Sequence, residues 1–145
     1  MMLRVGEPRP QMYKAETWKT KEVVFGQLLQ VPSFSGFKTY IISFIPCQTG
    51  DKVYMKERKV RVVPFTVCQN TLIKDTEGHY IYEGDHVDIK YAGDPKIHLC
   101  FVEYEMEKGC WMFNEGYTAS YTFHAVLGKN PEFIRHHEDN TNNHR

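Results

Sequence analysis

A chain of 145 residues, 41% hydrophobic and 25% charged, has the make-up of one soluble globular domain or two very small ones packed together, able to bury a core without a disulfide framework or structural metal. No apolar run approaches the ~20 residues of a membrane helix, and the start, Met1-Met2-Leu3-Arg4-Val5-Gly6-Glu7-Pro8, lacks the apolar stretch of a secretory signal. Net charge is zero, yet residues 1–70 hold 11 basic and 5 acidic side chains (+6) while residues 71–145 hold 7 and 13 (−6), which argues for halves that attract each other, within a chain or between subunits, over a dedicated polyanion binder.

The first fifteen residues, with Pro8 and Pro10, read as an extended arm. Glu22 to Val31 is a strand by its β-branched and apolar content, and Gly26 inside it marks a bulge or a close backbone approach. Pro32-Ser33-Phe34-Ser35-Gly36 is a turn, and Thr39 to Ile45 is the most hydrophobic strand, stopped by Pro46. After a turn at Gln48-Thr49-Gly50-Asp51, Lys52 to Val63 gives one or two short strands. Lys59-Val60-Arg61-Val62 alternates as an edge strand does.

Turns follow at Asp75-Thr76-Glu77-Gly78 and Glu83-Gly84-Asp85. His86 to Tyr91 alternates cleanly, with Val87, Ile89 and Tyr91 inward. In Ile97–Asn114, Lys108-Gly109 serves as a two-residue hairpin loop, which places Val102, Tyr104 and Met106 opposite Glu115, Phe113 and Trp111. Apolar residues change phase from Ile97, Leu99 and Phe101 to Val102, Tyr104 and Met106, so a bulge or sharp bend is expected, as in small curved barrels. Tyr121 to Leu127 reads as a last strand with Tyr121, Phe123, Ala125 and Leu127 on one face. Asn130-Pro131-Glu132-Phe133-Ile134 reads as a capped helical turn, and residues 136–145 as a polar disordered tail.

The segment Val67 to Val87 resembles the YopX family of small phage and prophage proteins, whose motif has the form Q-x-T-G-L-K-D-x-x-G-x-x-I-Y-E-G-D-x-V. Gln69, Thr71, Lys74, Asp75, Gly78, Ile81, Tyr82, Glu83, Gly84, Asp85 and Val87 match it, while the family's Gly-Leu is Leu72-Ile73 here. Val24-Phe25-Gly26-Gln27-Leu28, Val102-Glu103-Tyr104 and the closing Leu127-Gly128-Lys129-Asn130-Pro131-Glu132-Phe133 extend the likeness over about residues 23 to 134, the last with three residues fewer before Asn-Pro. The resemblance implies a mainly β (β-rich α+β) protein of mobile-element origin with an SH3-like barrel in its C-terminal half, and it implies no reaction. The expected organisation is a β-rich N-terminal region over 1–66, a YopX-like barrel over 67–135 and the tail. In the motif itself, Gly78 and Gly84 supply turns, Ile81 and Val87 supply core, and Asp75 and Asp85 bond turn amides.

Chemistry-bearing patterns are sparse. Cys47, Cys68, Cys100 and Cys110 form no C-x-x-C pair, and without an export signal they read as reduced, mostly buried thiols of a cytoplasmic protein. His98, Cys100 and Cys110 lack a recognised zinc spacing, and no metal or other cofactor is expected. No nucleophile elbow or phosphate loop occurs. Glu103, Glu105 and Glu107 on one strand face read as a solvated acidic edge. Lys52, Tyr54, Lys56, Arg58, Lys59 and Arg61 are the candidate nucleic-acid contacts, with Tyr40 as a further stacking surface. The leading expectation is a non-enzymatic module in a bacterial host that binds a host or phage protein or a second copy of itself, away from any membrane. A nucleic-acid accessory protein is the alternative. An enzyme would instead require a pocket where His98, Cys100 or His124 meets a carboxylate.

Overall fold

The computed structural model describes residues 11–138. The protein is mainly β, with two antiparallel sheets and one short helix among the described residues. The described residues divide into two compact units, one ending at Gln69 and the other beginning at Asn70. Among the described residues no helix is long and apolar enough to cross a membrane.

The first unit is built on β1 (Tyr13–Glu16), β2 (Val23–Ser33), β3 (Gly36–Thr49) and β4 (Lys52–Arg61), followed by a 3-10 turn at Pro64–Thr66. These strands neighbour one another in the order β4-β3-β2-β1, and β1 then pairs with the start of β5 (Cys68–Lys74). A small core of Ala15, Ile41 and Val62, supported by Tyr13, Val24, Leu28 and Val67, fixes this end of the unit. Gly26 stands where β2 passes from pairing with β1 to pairing with β3. A Cβ there would overlap the carbonyl oxygen of Ile42, so the close approach expected from the sequence is real.

Three readings of this region change. The expected arm contains β1 at Tyr13–Glu16, because Lys14 to Glu16 have partners in β2; the arm's residues 1–10 lie outside the described residues. The Pro32–Gly36 turn narrows to Phe34-Ser35, with Pro32 still inside β2. Pro46 does not stop β3, which runs on to Thr49. Beyond Ile42, β3 has only β4 beside it, so its other edge is open and a residue without an N–H leaves no ladder bond unmade there.

The second unit takes β6 (Tyr80–Tyr82) against the end of β5, and a five-stranded sheet of β7 (His86–Lys90), β8 (Ile97–Glu105), β9 (Cys110–Glu115), β10 (Ala119–Thr122) and β11 (Phe133–His136) in the order β10-β9-β8-β7-β11. Its core joins Ile81, Val87, Ile89, Cys100, Val102, Phe113 and Ile134 to Phe123 and Val126 of helix α1 (Phe123–Gly128). Phe113 stacks on Phe123 with ring centroids 4.0 Å apart. The sheet is open among the described residues: no ladder joins β10 to β11, and no closed barrel forms.

The largest departures from the sequence reading lie here. β8 has no bulge: its pairing with β7 and β9 is continuous, and Cys100 and Val102 point inward throughout. Ile97, Leu99 and Phe101 therefore lie on the outer face, exposed, where they had imitated a core phase. The β8–β9 loop is the four residues Met106–Gly109, so Val102 faces Phe113 and Tyr104 faces Trp111. That two-residue slip preserves which face each side chain occupies.

The expected strand over Tyr121–Leu127 ends at Thr122, whose hydroxyl accepts the Ala125 N–H at 3.1 Å and starts α1. The expected helical turn at Asn130–Ile134 is the entry to β11, since Phe133 and Ile134 pair with Lys90 and Ile89. The expected tail is ordered at its start: His136 belongs to β11 and His137 bonds Asp88, whereas residues 139–145 lie outside the described residues.

Candidate interaction surface and histidine–carboxylate clusters

From Phe44 to Thr49 and Lys52 to Lys59, β3 and β4 form a two-stranded ribbon in which every residue except Cys47 is exposed. The two-residue loop Gly50-Asp51 closes it, with Gly50 at φ 62. The register gives the ribbon two unlike faces. Phe44 opposite Glu57, Pro46 opposite Met55 and Gln48 opposite Val53 make a largely apolar face. Ser43 opposite Arg58, Ile45 opposite Lys56, Cys47 opposite Tyr54 and Thr49 opposite Lys52 make a basic face without a carboxylate. Among the described residues nothing covers this ribbon; a two-stranded ribbon left so is marginal in water, and its apolar side chains are surface awaiting cover.

All six predicted nucleic-acid contacts lie on β4, but the pleat separates them. Lys52, Tyr54, Lys56 and Arg58 share the basic face. Lys59 and Arg61 project to the other side, where Lys59 lies 5.0 Å from the Tyr40 ring and Arg61 4.7 Å from the Trp18 ring. Tyr40, the other expected stacking surface, is thus covered by a cation of its own chain.

In the second unit, two histidines are each held between two carboxylates. His136 Nδ1 lies 2.7 Å from Asp75 Oδ2, and its Nε2 lies 2.8 Å from Asp85 Oδ2. Ionised carboxylates only accept, so this placement favours hydrogen on both ring nitrogens, the imidazolium form. Burial opposes that charge, but the bonds to Asp85 and Asp75 outweigh it and hold the His136 pKa above the ordinary value. The Asp75 side chain is fully buried, which pushes its pKa up. Its bonds with His136 and with the His79 backbone N–H prevail, so the carboxyl lies below the ordinary value.

The turns hold these acids in place: Asp75 Oδ1 accepts the N–H groups of Glu77 and His79 at 3.0 and 2.8 Å, and Asp85 Oδ2 accepts that of Tyr82 at 2.8 Å. The expected turn roles are met, with Gly78 and Gly84 at φ 88 and 85 and with Ile81 and Val87 fully buried. Neighbouring carboxylates across a turn are normally solvated, and Asp85 departs from that pattern. The histidine to which it is bonded comes from a segment with the composition of a tail.

His98 Nε2 meets Asp94 at 2.9 Å, and its Nδ1 meets Glu115 at 2.9 Å, with Lys96 Nζ 3.2 Å from Glu115. Hydrogen bonding to Asp94, against some desolvation, raises the His98 pKa. This ring lines a cavity of about 190 Å³ with Asp94, Cys100, Tyr91, Tyr121 and Lys129, so the pocket that an enzyme would require, with His98 and Cys100 beside a carboxylate, is present. Of the residues named for such a pocket, His98 and Cys100 line it, whereas His124 is exposed on α1 and lies outside the lining; Cys110 lies outside it too. The chemistry there is weak. Burial pushes the Cys100 thiol up to about 12, the opposite of what a nucleophile needs, and both His98 nitrogens are engaged. Of the three glutamates, Glu103 and Glu105 stand on the outer side of β8 and Glu107 in the loop beyond.

Against family models, curated proteins and solved structures, the chain finds no match.

Proposed function

We propose that the chain is a YopX-like protein of phage or prophage origin acting as a non-enzymatic binding module, with the β3–β4 ribbon as docking element and a second copy of the chain as partner. The carrying observation is the ribbon's uncovered apolar face, where Phe44, Val53 and Met55 stay more than half exposed. Faces rather than edges do the docking, since Lys52, Lys56, Lys59 and Pro46 discourage strand addition. The opposed charges of the two sequence halves give a second copy an electrostatic match for the basic face.

The family resemblance gains support from Leu72, which adopts φ 67 at the position where the motif has glycine. A five-stranded sheet capped by one helical turn is in keeping with an SH3-like module. The engaged histidines and the protonated Cys100 support a non-enzymatic role, and the expected setting is the host cytoplasm. Light scattering across concentration and salt, with a pull-down from host lysate, tests the proposal. Salt-sensitive assembly is expected, and a monomer retaining no protein would overturn it.

A second reading is favoured by one observation: Lys52, Tyr54, Lys56 and Arg58 share a face without an acidic residue, as a single-strand binder needs. Labelled oligonucleotides in a salt series test it. Loss of binding on Lys52→Ala/Lys56→Ala/Arg58→Ala, but not on Lys59→Ala/Arg61→Ala, is the expected pattern. Absence of salt-dependent binding removes the reading.

A further inference from the structure

We propose that Asp75, His79 and His136 form a binding site for a divalent transition-metal ion of the zinc type. Their candidate ligand atoms all lie within 4.8 Å of one another. Two imidazoles with one carboxylate suit zinc and its neighbours and disfavour magnesium or calcium, which prefer oxygen throughout.

The arrangement is ordered as metal ligands are. Asp75 spends Oδ1 on the backbone of Glu77 and His79, which leaves Oδ2 facing His136 Nδ1. His136 gives Nε2 to Asp85, and that bond fixes the plane of the ring and presents Nδ1 to the site. His79 is locked to Asp75 through its backbone, its N–H on Oδ1 and its carbonyl oxygen accepting the Asp75 N–H at 2.8 Å. Its ring remains 60% exposed, with Nδ1 3.8 Å from Asp75 Oδ2. The Glu77 carboxylate stands 3.9 Å from the same nitrogen. Glu77 and His136 also line a cavity of about 270 Å³ with Arg135, and the exposed His79 ring leaves the site open to solvent.

Small movements convert the cluster into a metal site. Ligands at roughly 2.0–2.1 Å in a tetrahedron stand about 3.3 Å apart. The Asp75–His136 contact, now 2.7 Å, opens by a few tenths of an ångström as the Nδ1 proton leaves to solvent, and the exposed His79 ring swings in from 3.8 Å. The His98 cluster does not offer this: no second imidazole joins it among the described residues.

The test uses the full chain, stripped with a chelator and titrated with zinc chloride or magnesium chloride by calorimetry. One zinc ion per chain, micromolar or tighter, with no magnesium uptake, is expected. Cobalt(II) bound in its place should show the visible d–d bands of a nitrogen-ligated site. His79→Ala is the decisive variant, because its ring is exposed and the metal-free chain should keep its fold, which its melting temperature checks. It should weaken zinc binding by at least about ten-fold, whereas His137→Ala should not. Failure to bind zinc, or a His79→Ala chain that binds as the parent does, would overturn the proposal.

Discussion

Replacing Phe44, Val53 and Met55 together by threonine separates docking from folding. These side chains are 55%, 71% and 58% exposed, so the chain's own fold draws little from them. Threonine keeps the β preference of the strands. Full burial of such a side chain contributes roughly 1.5–3 kcal/mol, and with more than half of each surface still open a partner gains about 1 kcal/mol per residue. The triple variant therefore loses about 3 kcal/mol of association, which weakens Kd by about 100-fold. Its unfolding free energy should move by no more than about 1 kcal/mol, as for exposed positions generally. Sedimentation velocity over a dilution series reads the first quantity, and thermal melting of the dilute, dissociated protein reads the second. A triple variant that assembles as the parent does refutes the docking face. One that melts many degrees lower shows that these side chains hold the chain's own fold instead.

Three further outcomes follow from local geometry. Leu72→Gly should stabilise the second unit by about 1 kcal/mol in urea unfolding, because the left-handed backbone strains a leucine and not a glycine. Gly26→Ala should cost about 3 kcal/mol by the same assay, since backbone rather than a movable side chain stands in the way. The His98 cluster sets a pH window. The His98 pKa is raised above 6.5, so its contribution is complete below that pH and fades as pH climbs through the folded value; those of Asp94 and Glu115 are lowered from 3.8 and 4.5, so theirs is complete above those values and fades as pH falls. Melting temperatures in chelator-containing buffer should thus be highest between about pH 5 and 6.5, and His98→Gln should lessen the decline on the alkaline side, with His136, whose pKa is likewise raised, supplying the remainder.

Local chemistry was the legible part of this fold. The turns at Gly78 and Gly84, the Asp75 and Asp85 amide bonds, the alternation of Val87 and Ile89, and the crowding at Gly26 each follow from a few adjacent residues. β8 was misread because it carries apolar residues on both faces, and no pattern distinguishes an exposed Ile97-Leu99-Phe101 stripe from a core one. Across the end of β10 and α1, Tyr121, Phe123, Ala125 and Leu127 satisfy a period of two, while the helix announces itself only through the Thr122 cap and the buried pair Phe123 and Val126, too short a stretch to show a helical period. β11 and the His136 cluster were invisible for another reason. Their partners lie about forty to sixty residues away in the chain, at Val87 to Lys90, Asp75 and Asp85, so a polar segment acquired its order entirely from long-range pairing. The ribbon was read as strands and as a basic cluster, but the separation of its two faces required the register of β3 on β4.

Hydrogen exchange followed by mass spectrometry, measured on the full chain at dilute and concentrated limits, tests the docking of the ribbon most directly. Peptides spanning Phe44 to Arg58 should gain protection as concentration rises, while those around the buried Ile41 and Phe113 exchange alike at both limits. Ribbon peptides that exchange at one rate across the whole concentration range, and in host lysate, would contradict the account.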